Sequence, residues 1–165
     1  MDWSKTRAYA VGLGQIYFNL RGRESQGTVS AGAEYAALQG EIASRLVTLT
    51  DPENGERVMR EVYRRDDIYT GEFLQNAPDL TVGFNDGYRV GWQDTLGGIR
   101  RAVIENNNKK WSGDHCATST EISGGVFFSN RPFTAKAPHI MDLAPTILEL
   151  LEVPLPKDLD GNPLR

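Results

Sequence analysis

Hydrophobic residues near the start of the chain fall in two short clusters. Aromatic and β-branched residues are concentrated in Ala8–Val11 and in Gln15–Leu20, on either side of a Gly-Leu-Gly segment. Such residues favour extended backbone, and glycines favour a tight connection between the two runs. The pattern therefore predicts a pair of strands.

The next segment, residues 33–51, has a different period. Its large apolar residues recur at steps of three and four positions, which is the spacing of one face of a helix. They are Tyr35, Leu38, Ile42, Leu46 and Leu49. The segment predicts an amphipathic helix, ended by Pro52 and Gly55 in "DPENG".

The remaining pattern alternates between strands and helices. Residues 56–71 predict a strand, with a helix left open for the first half, and "DLTVGF" (79–84) predicts a buried strand. "GGVFFSNRPF" (124–133) is another strand candidate, and "MDLAPTILELLEV" (141–153) predicts a helix with Asp142 at its N-cap and Pro145 in its first turn. This alternation favours an α/β fold, and the length favours a single domain over residues 1–165.

Composition and charge exclude several classes of protein. The apolar fraction of 39% and charged fraction of 24% are typical of folded globular chains. A net charge of −4 without a basic block argues against nucleic acid as a partner, and no apolar run approaches the length of a membrane span. The single cysteine, Cys116, excludes an internal disulfide framework and indicates a reducing compartment, so we expect a cytoplasmic protein.

The strongest candidate for chemistry is His115 in the loop "WSGDHC". Catalytic groups are often carried on loops beside a sheet, and a neutral imidazole there can bind a divalent metal. The residues alone leave three alternatives open, namely a metal ligand, a catalytic base and a loop histidine without function. One imidazole cannot complete a metal site, and the other histidine, His139, is best explained as a solvent-exposed or capping residue at a helix entrance. Thr118, Ser119 and Thr120 match no nucleophile motif.

Several stretches together resemble a known family. "SGDHC", "GGVFFSNRPF" and "APHIMDLAPTILELLEVPLPKDLDGNPL" are similar to the C-terminal part of the alkaline phosphatase superfamily, in particular type I phosphodiesterase/nucleotide pyrophosphatase-like proteins and phosphomutases. The Asp-x-x-Pro-Thr helix followed by a short tail is the most specific of these stretches. "DWSKTRAYAVGLGQIYFNLRGRESQG" and "APDLTVGFNDGYRVGW" extend the resemblance over nearly the whole chain.

The resemblance implies a fold and a metal site. The fold is an alkaline-phosphatase-like mixed sheet with flanking helices, incomplete in this chain. Two divalent metals, zinc or alternatively manganese, bind in the family, and by position the late histidine ligand corresponds to His115. Asp114, its neighbour, then supports that ligand without touching the metal. The family's nucleophilic Thr or Ser and its Ser-Asp-His-Gly motif have no counterpart in this sequence.

We therefore expect the C-terminal portion of a metal-dependent phosphoester hydrolase that is inactive on its own and acts in the complete enzyme on a small phosphoester. Its expected protein partner is the upstream half of the same enzyme or a second copy of the chain. The alternative is a non-catalytic binding or structural module derived from that fold. Arg89, Trp92 and Lys110 are candidates to line a pocket near His115, and a solvated-surface role is the alternative for each.

Overall fold

The computed structural model describes residues 1–91, 93, 98, 102–108, 110 and 118–164. The elements in chain order are β1 (Ala8–Val11), β2 (Gln15–Phe18), α1 (Ala33–Val47), β3 (Met59–Arg64), α2 (Arg65–Ile68), β4 (Leu80–Phe84) and α3 (Leu143–Leu150). Short 3-10 helices cover Leu74–Asn76 and Ile140–Asp142. The chain divides into two compact units, residues 1–124 and 125–165. The single domain expected from the sequence stays a prediction.

The four described strands of the first unit form an open sheet in the order β1-β2-β4-β3. Each described pair is antiparallel, whereas the resemblance implies a mixed sheet. A three-residue connection between β1 and β2 leaves no room for the crossover that parallel neighbours need. The fold is mixed α/β, as the sequence predicts, and its sheet is small and antiparallel.

The turn between β1 and β2 depends on glycine. Gly12 and Gly14 have φ angles of 73° and 110°, in the region that L-residues with a side chain rarely adopt. Gly14 also lies against β4, since its carbonyl oxygen accepts the Val82 N–H at 2.8 Å. A Cβ on Gly14 would lie 3.1 Å from the Val82 carbonyl oxygen. The predicted strand pair is confirmed, and its turn is fitted to the neighbouring strand.

Helix α1 covers one face of this sheet. Leu38, on its buried side, packs with Phe18, Val29 and Leu80 in the core of the first unit. The ring of Tyr35 lies with its centroid 5.2 Å from that of Phe18. These contacts confirm the helix that the three- and four-residue spacing predicts, because its apolar positions face the sheet. The helix ends at Val47, so Leu49, the last of the predicted positions, lies beyond it.

The segment after α1 is a strand and not a helix in its first half. β3 pairs with β4 in a register that places Val62 opposite Val82 and Tyr63 opposite Thr81. The strand is favoured because Val62 packs against the core from this position. The helical alternative is wrong for residues 59–64, and only the four residues of α2 that follow are helical. β4 itself is buried over most of its length, as its apolar run predicts.

In the second unit, the predicted helix is confirmed as α3, with Pro145 in its first turn. The predicted strand over residues 124–133 is wrong, because these residues form no strand and no ladder. Val126 and Phe128 are 85% and 89% exposed, so the apolar run is not buried as a strand face would be. Phe127 and Phe133 instead pack against each other, with ring centroids 5.3 Å apart. Among the described residues, no helix is long and apolar enough to span a bilayer.

Candidate functional site

The predicted metal ligand His115 and its neighbour Asp114 lie outside the described residues, as do Cys116 and Trp92. Of the other two residues proposed to line a pocket, Arg89 is half-buried and donates from Nε to the Val90 carbonyl at 3.3 Å. Lys110 is exposed. In the part of the chain that the structure describes, no group of three or more His, Cys, Asp or Glu side chains is placed to hold a metal ion.

The first described residues after the "WSGDHC" loop are fixed on β4. The Thr118 hydroxyl donates to the Val82 carbonyl oxygen at 2.8 Å. Ser119 is fully buried, and its Cβ lies 3.5 Å from the position that a Cβ on Gly83 would occupy. Its carbonyl oxygen accepts the Ser123 hydroxyl at 2.6 Å, within a turn over residues 119–123.

The densest electrostatic cluster of the described residues surrounds Asp79, which is fully buried just before β4. Its Oδ2 accepts the Phe18 N–H at 2.6 Å and Arg23 Nη2 at 2.6 Å. Its Oδ1 accepts Arg23 Nη1 at 3.1 Å and the Tyr35 hydroxyl at 3.0 Å, with Arg65 Nη1 at 3.5 Å. A buried carboxylate needs paired charge and satisfied lone pairs, and this cluster supplies both.

A second carboxylate, Glu24, extends the cluster. It accepts the Leu20 N–H at 2.7 Å, Arg23 Nε at 2.8 Å and the Tyr9 hydroxyl at 3.1 Å. Arg23 therefore lies between two acids, and its guanidinium carbon is also 5.6 Å from the centre of the Tyr17 ring. The loop after β2 is held to the sheet by charge as well as by backbone hydrogen bonds.

Burial and the two carboxylates, Asp79 and Glu24, set the protonation states of the groups around them. Burial, followed by the Asp79 carboxylate, raises the pKa of Tyr35 above its ordinary value. Burial and the hydrogen bond to Glu24 raise the pKa of Tyr9 to about 12. Burial alone would lower the pKa of Arg23, but its hydrogen bonds to Asp79 and Glu24 outweigh that effect and raise it. Both hydroxyls stay protonated and Arg23 stays cationic at neutral pH, so these three groups hold structure and do not exchange protons in that range.

In the second unit, His139 is a helix cap, as the sequence predicts. Its Nδ1 accepts the Met141 N–H at 3.4 Å, and its own N–H donates to Asp142 Oδ2 at 2.8 Å. This reciprocal pair is a capping box at the start of the 3-10 helix that leads into α3. Asp142 is at the N-cap position of α3, but its side chain makes no capping hydrogen bond to that helix.

Asp142 instead fastens the C-terminal tail. Its Oδ1 accepts the Asn162 N–H at 2.9 Å, and the Thr146 hydroxyl accepts the Leu164 N–H at 2.8 Å. The hydrogen bonds from the Asn162 and His139 backbones lower the pKa of Asp142. We call these four residues, Asp142, Thr146, Asn162 and Leu164, the tail clasp.

Neither a family model, nor a curated protein, nor a solved structure matches this chain. The resemblance described above therefore depends on the residues quoted for it.

Sequence reasoning missed the Asp79 cluster. The one local signal is a charge directly before a strand without charged residues, in "APDLTVGF". A carboxylate at that place must be buried with its strand and must find cationic partners. Which cations it finds depends on the pairing of β2 with β4, and the sequence pattern does not specify that pairing.

Proposed function

We propose that this chain is the C-terminal portion of a metal-dependent phosphoester hydrolase with an alkaline-phosphatase-like fold, of the phosphodiesterase/nucleotide pyrophosphatase or phosphomutase type. His115 supplies one ligand of a divalent metal centre, zinc or manganese, and Asp114 supports it. In the described part of the chain, no group of three or more His, Cys, Asp or Glu side chains is placed to hold a divalent cation. The proposal assigns the remaining ligands and the Thr or Ser nucleophile to upstream polypeptide. The substrate is a small phosphoester.

The tail clasp is the observation that carries the proposal. The most specific stretch of the resemblance joins an Asp-x-x-Pro-Thr helix to a tail about twenty residues later, and these two parts are hydrogen-bonded to each other. Asp142 and Thr146, the first and last residues of the motif, accept the backbone N–H groups of Asn162 and Leu164. A contact that needs both parts supports reading them as one inherited unit and not as two coincidental matches.

The residues that follow "WSGDHC" in sequence give further support. The residues just after it are anchored on the buried strand β4 through Thr118 and Ser119. Functional groups are commonly carried on loops whose ends are fixed to a rigid sheet. A ligand near the anchored end of such a loop is held with less conformational freedom than one on a free loop.

In the complete enzyme the metals supply charge stabilisation at the attacking and leaving oxygens of the phosphoester. The part that falls to this chain is to supply one imidazole, that of His115, as a metal ligand. Among the described residues the strongest acid–cation cluster, around Asp79, is committed to internal partners and serves the fold.

The experiment that tests the proposal compares two proteins. The gene is read upstream of this chain for an in-frame segment with a Thr or Ser nucleophile and a Ser-Asp-His-Gly motif. The longer product and this chain are then assayed with an aryl phosphodiester in the presence of zinc or manganese. We expect activity in the longer product alone, and a loss of about a hundredfold or more in His115→Ala.

His139→Ala in the longer product is the matched control, because it removes the other histidine of this chain at a helix cap. It should keep activity while losing about 1 kcal/mol of stability. In calorimetry, this chain alone should bind zinc more weakly than micromolar. Equal activity of both proteins, or an unchanged His115→Ala variant, would overturn the proposal and favour the non-catalytic module.

A further inference from the structure

The turn between α1 and β3 contains the one Asn-Gly pair in the sequence, Asn54-Gly55. Asparagine followed by glycine is the pair most prone to spontaneous deamidation, because glycine leaves its own N–H open to attack the neighbouring carboxamide. The turn is closed by an antiparallel bridge between Thr50 and Arg57. Inside the bridge, the Asp51 N–H donates to the Glu56 carbonyl at 2.8 Å.

Both reacting groups of this pair are occupied in the folded turn. The nucleophile, the Gly55 N–H, donates to the Asp51 carbonyl oxygen at 2.7 Å. The electrophile, the Asn54 carboxamide, accepts the Glu56 N–H at 2.8 Å through Oδ1 and donates from Nδ2 to the Tyr88 hydroxyl at 3.0 Å. Gly55 has a φ of 78°, and this conformation keeps its N–H directed to Asp51.

Tyr88 connects the turn to the irregular segment that follows β4 in sequence. Its hydroxyl donates to Asp51 Oδ2 at 3.0 Å, so a chain of hydrogen bonds runs from the Asn54 carboxamide through Tyr88 to the Asp51 carboxylate. The same carboxylate accepts the Glu53 N–H at 2.9 Å through its other oxygen. Opening the turn far enough to react breaks several of these bonds at once.

We propose that Asn54-Gly55 is a latent self-modification site that the native turn keeps closed. When the turn opens, the Gly55 nitrogen bonds to the Asn54 side-chain carbonyl carbon, and the carboxamide C–N bond breaks. The departing nitrogen, Asn54 Nδ2, takes up the proton from the Gly55 N–H and leaves as ammonia. Water then adds to either carbonyl of the resulting succinimide, which gives aspartate or isoaspartate at position 54. The inference is independent of the proposed metal site.

The product would destabilise the turn that protects it. A carboxylate at position 54 joins Asp51, Glu53 and Glu56, and like charges that close repel one another. Isoaspartate also adds a methylene to the backbone, which moves the Gly55 N–H away from the Asp51 carbonyl. Modification at this turn is therefore expected to favour its own open state.

The test follows deamidation by mass spectrometry in mildly alkaline buffer. Trypsin releases residues 46–57 as one peptide in which Asn54 is the sole asparagine. Folded chain and a synthetic peptide of the same residues are incubated side by side. We expect Asn54 to react at least about tenfold more slowly in the folded chain, equivalent to about 1.4 kcal/mol for local opening.

Tyr88→Phe removes the hydroxyl that holds Asn54 and should accelerate the reaction about threefold or more. Tyr9→Phe, which removes a hydroxyl bonded to Glu24 away from this turn, is the matched control and should react at the wild-type rate. Urea should bring wild-type chain to the peptide rate, a readout that needs no variant. Equal rates in folded chain and peptide, or equal rates in the two tyrosine variants, would overturn the proposal.

Discussion

Arg23 and Asp79 are joined by two hydrogen bonds, Nη1 to Oδ1 at 3.1 Å and Nη2 to Oδ2 at 2.6 Å, across 56 positions of sequence. The same guanidinium donates from Nη2 to the Phe18 carbonyl oxygen at 2.8 Å. The pair thus connects the end of β2, the loop after it and the residue that precedes β4.

Replacing Asp79 should strongly destabilise the chain. In Asp79→Ala the Phe18 N–H loses its acceptor and the Arg23 guanidinium loses one of its two acids, so we expect a loss of about 3 kcal/mol in the free energy of unfolding. Urea denaturation of wild type and variant measures this difference in the free energy of unfolding. Asp86→Ala, at an exposed acid after β4, is the control and should stay within about 0.5 kcal/mol of wild type. Similar losses in both variants would contradict the central role of Asp79.

Tyr9 should make stability depend on pH in the alkaline range. Its pKa rises from 10.0 to about 12 in the folded chain, so folding favours the protonated phenol. The stabilisation that Tyr9 contributes to the folded state is fully present below pH 10 and is lost as the pH rises toward about 12. Denaturation curves across that range should show a decline that is shallower in Tyr9→Phe. An identical decline in the variant would assign the effect to other groups.

The tail clasp should be sensitive to one hydroxyl. Thr146→Val removes the acceptor of the Leu164 N–H, so hydrogen exchange at that amide should accelerate about threefold or more. Thr48→Val is the matched control, since its hydroxyl bonds only to carbonyls of the preceding helical turn. If the Leu164 amide exchanges at the same rate in Thr146→Val as in wild type, the hydroxyl does not hold the tail.

The β1 edge of the sheet should favour self-association. β1 carries no charged residue and Val11 is 52% exposed, whereas the opposite edge, β3, carries charged residues including Arg60 and Arg64. Charged residues at an edge oppose strand pairing between chains. Ala10→Lys should therefore reduce dimers or larger species in sedimentation velocity. Ala37→Lys, on an exposed position of α1, should not. A monodisperse wild-type monomer would contradict this expectation.

Much of the first unit could be predicted from local pattern. β2, α1 and β4 each have a run of residues whose period or apolar character matches the burial observed, whereas β1 was predicted from strand propensity and its Val11 is exposed. The strand predicted over residues 124–133 was wrong because a local pattern reports strand propensity alone. Phe127 and Phe128 have strand propensity, but a strand also needs a neighbouring edge, and propensity carries no information about partners. Strand order is nonlocal in the same way, so β4 between β2 and β3 could not be predicted.

In the candidate site, too, contacts between residues close in sequence could be predicted and contacts between distant residues could not. His139 was predictable as a cap, because capping involves residues two and three positions away. The tail clasp and the Asp79 cluster depend on contacts between residues far apart in sequence, up to 61 positions, which no local pattern encodes. The assignment of His115 as a metal ligand comes from the resemblance and stays a prediction.

The central pairing of β2 with β4 has a consequence for synthesis on the ribosome. The β1–β2 hairpin is complete once Phe18 has emerged, yet its partner strand begins only at Leu80. At typical elongation rates, the intervening residues take roughly 3 to 12 s to synthesise. During that interval the inner edge of β2 has no partner strand from its own chain. The rate of translation through residues 19–79 therefore sets how long the hairpin waits for its central partner.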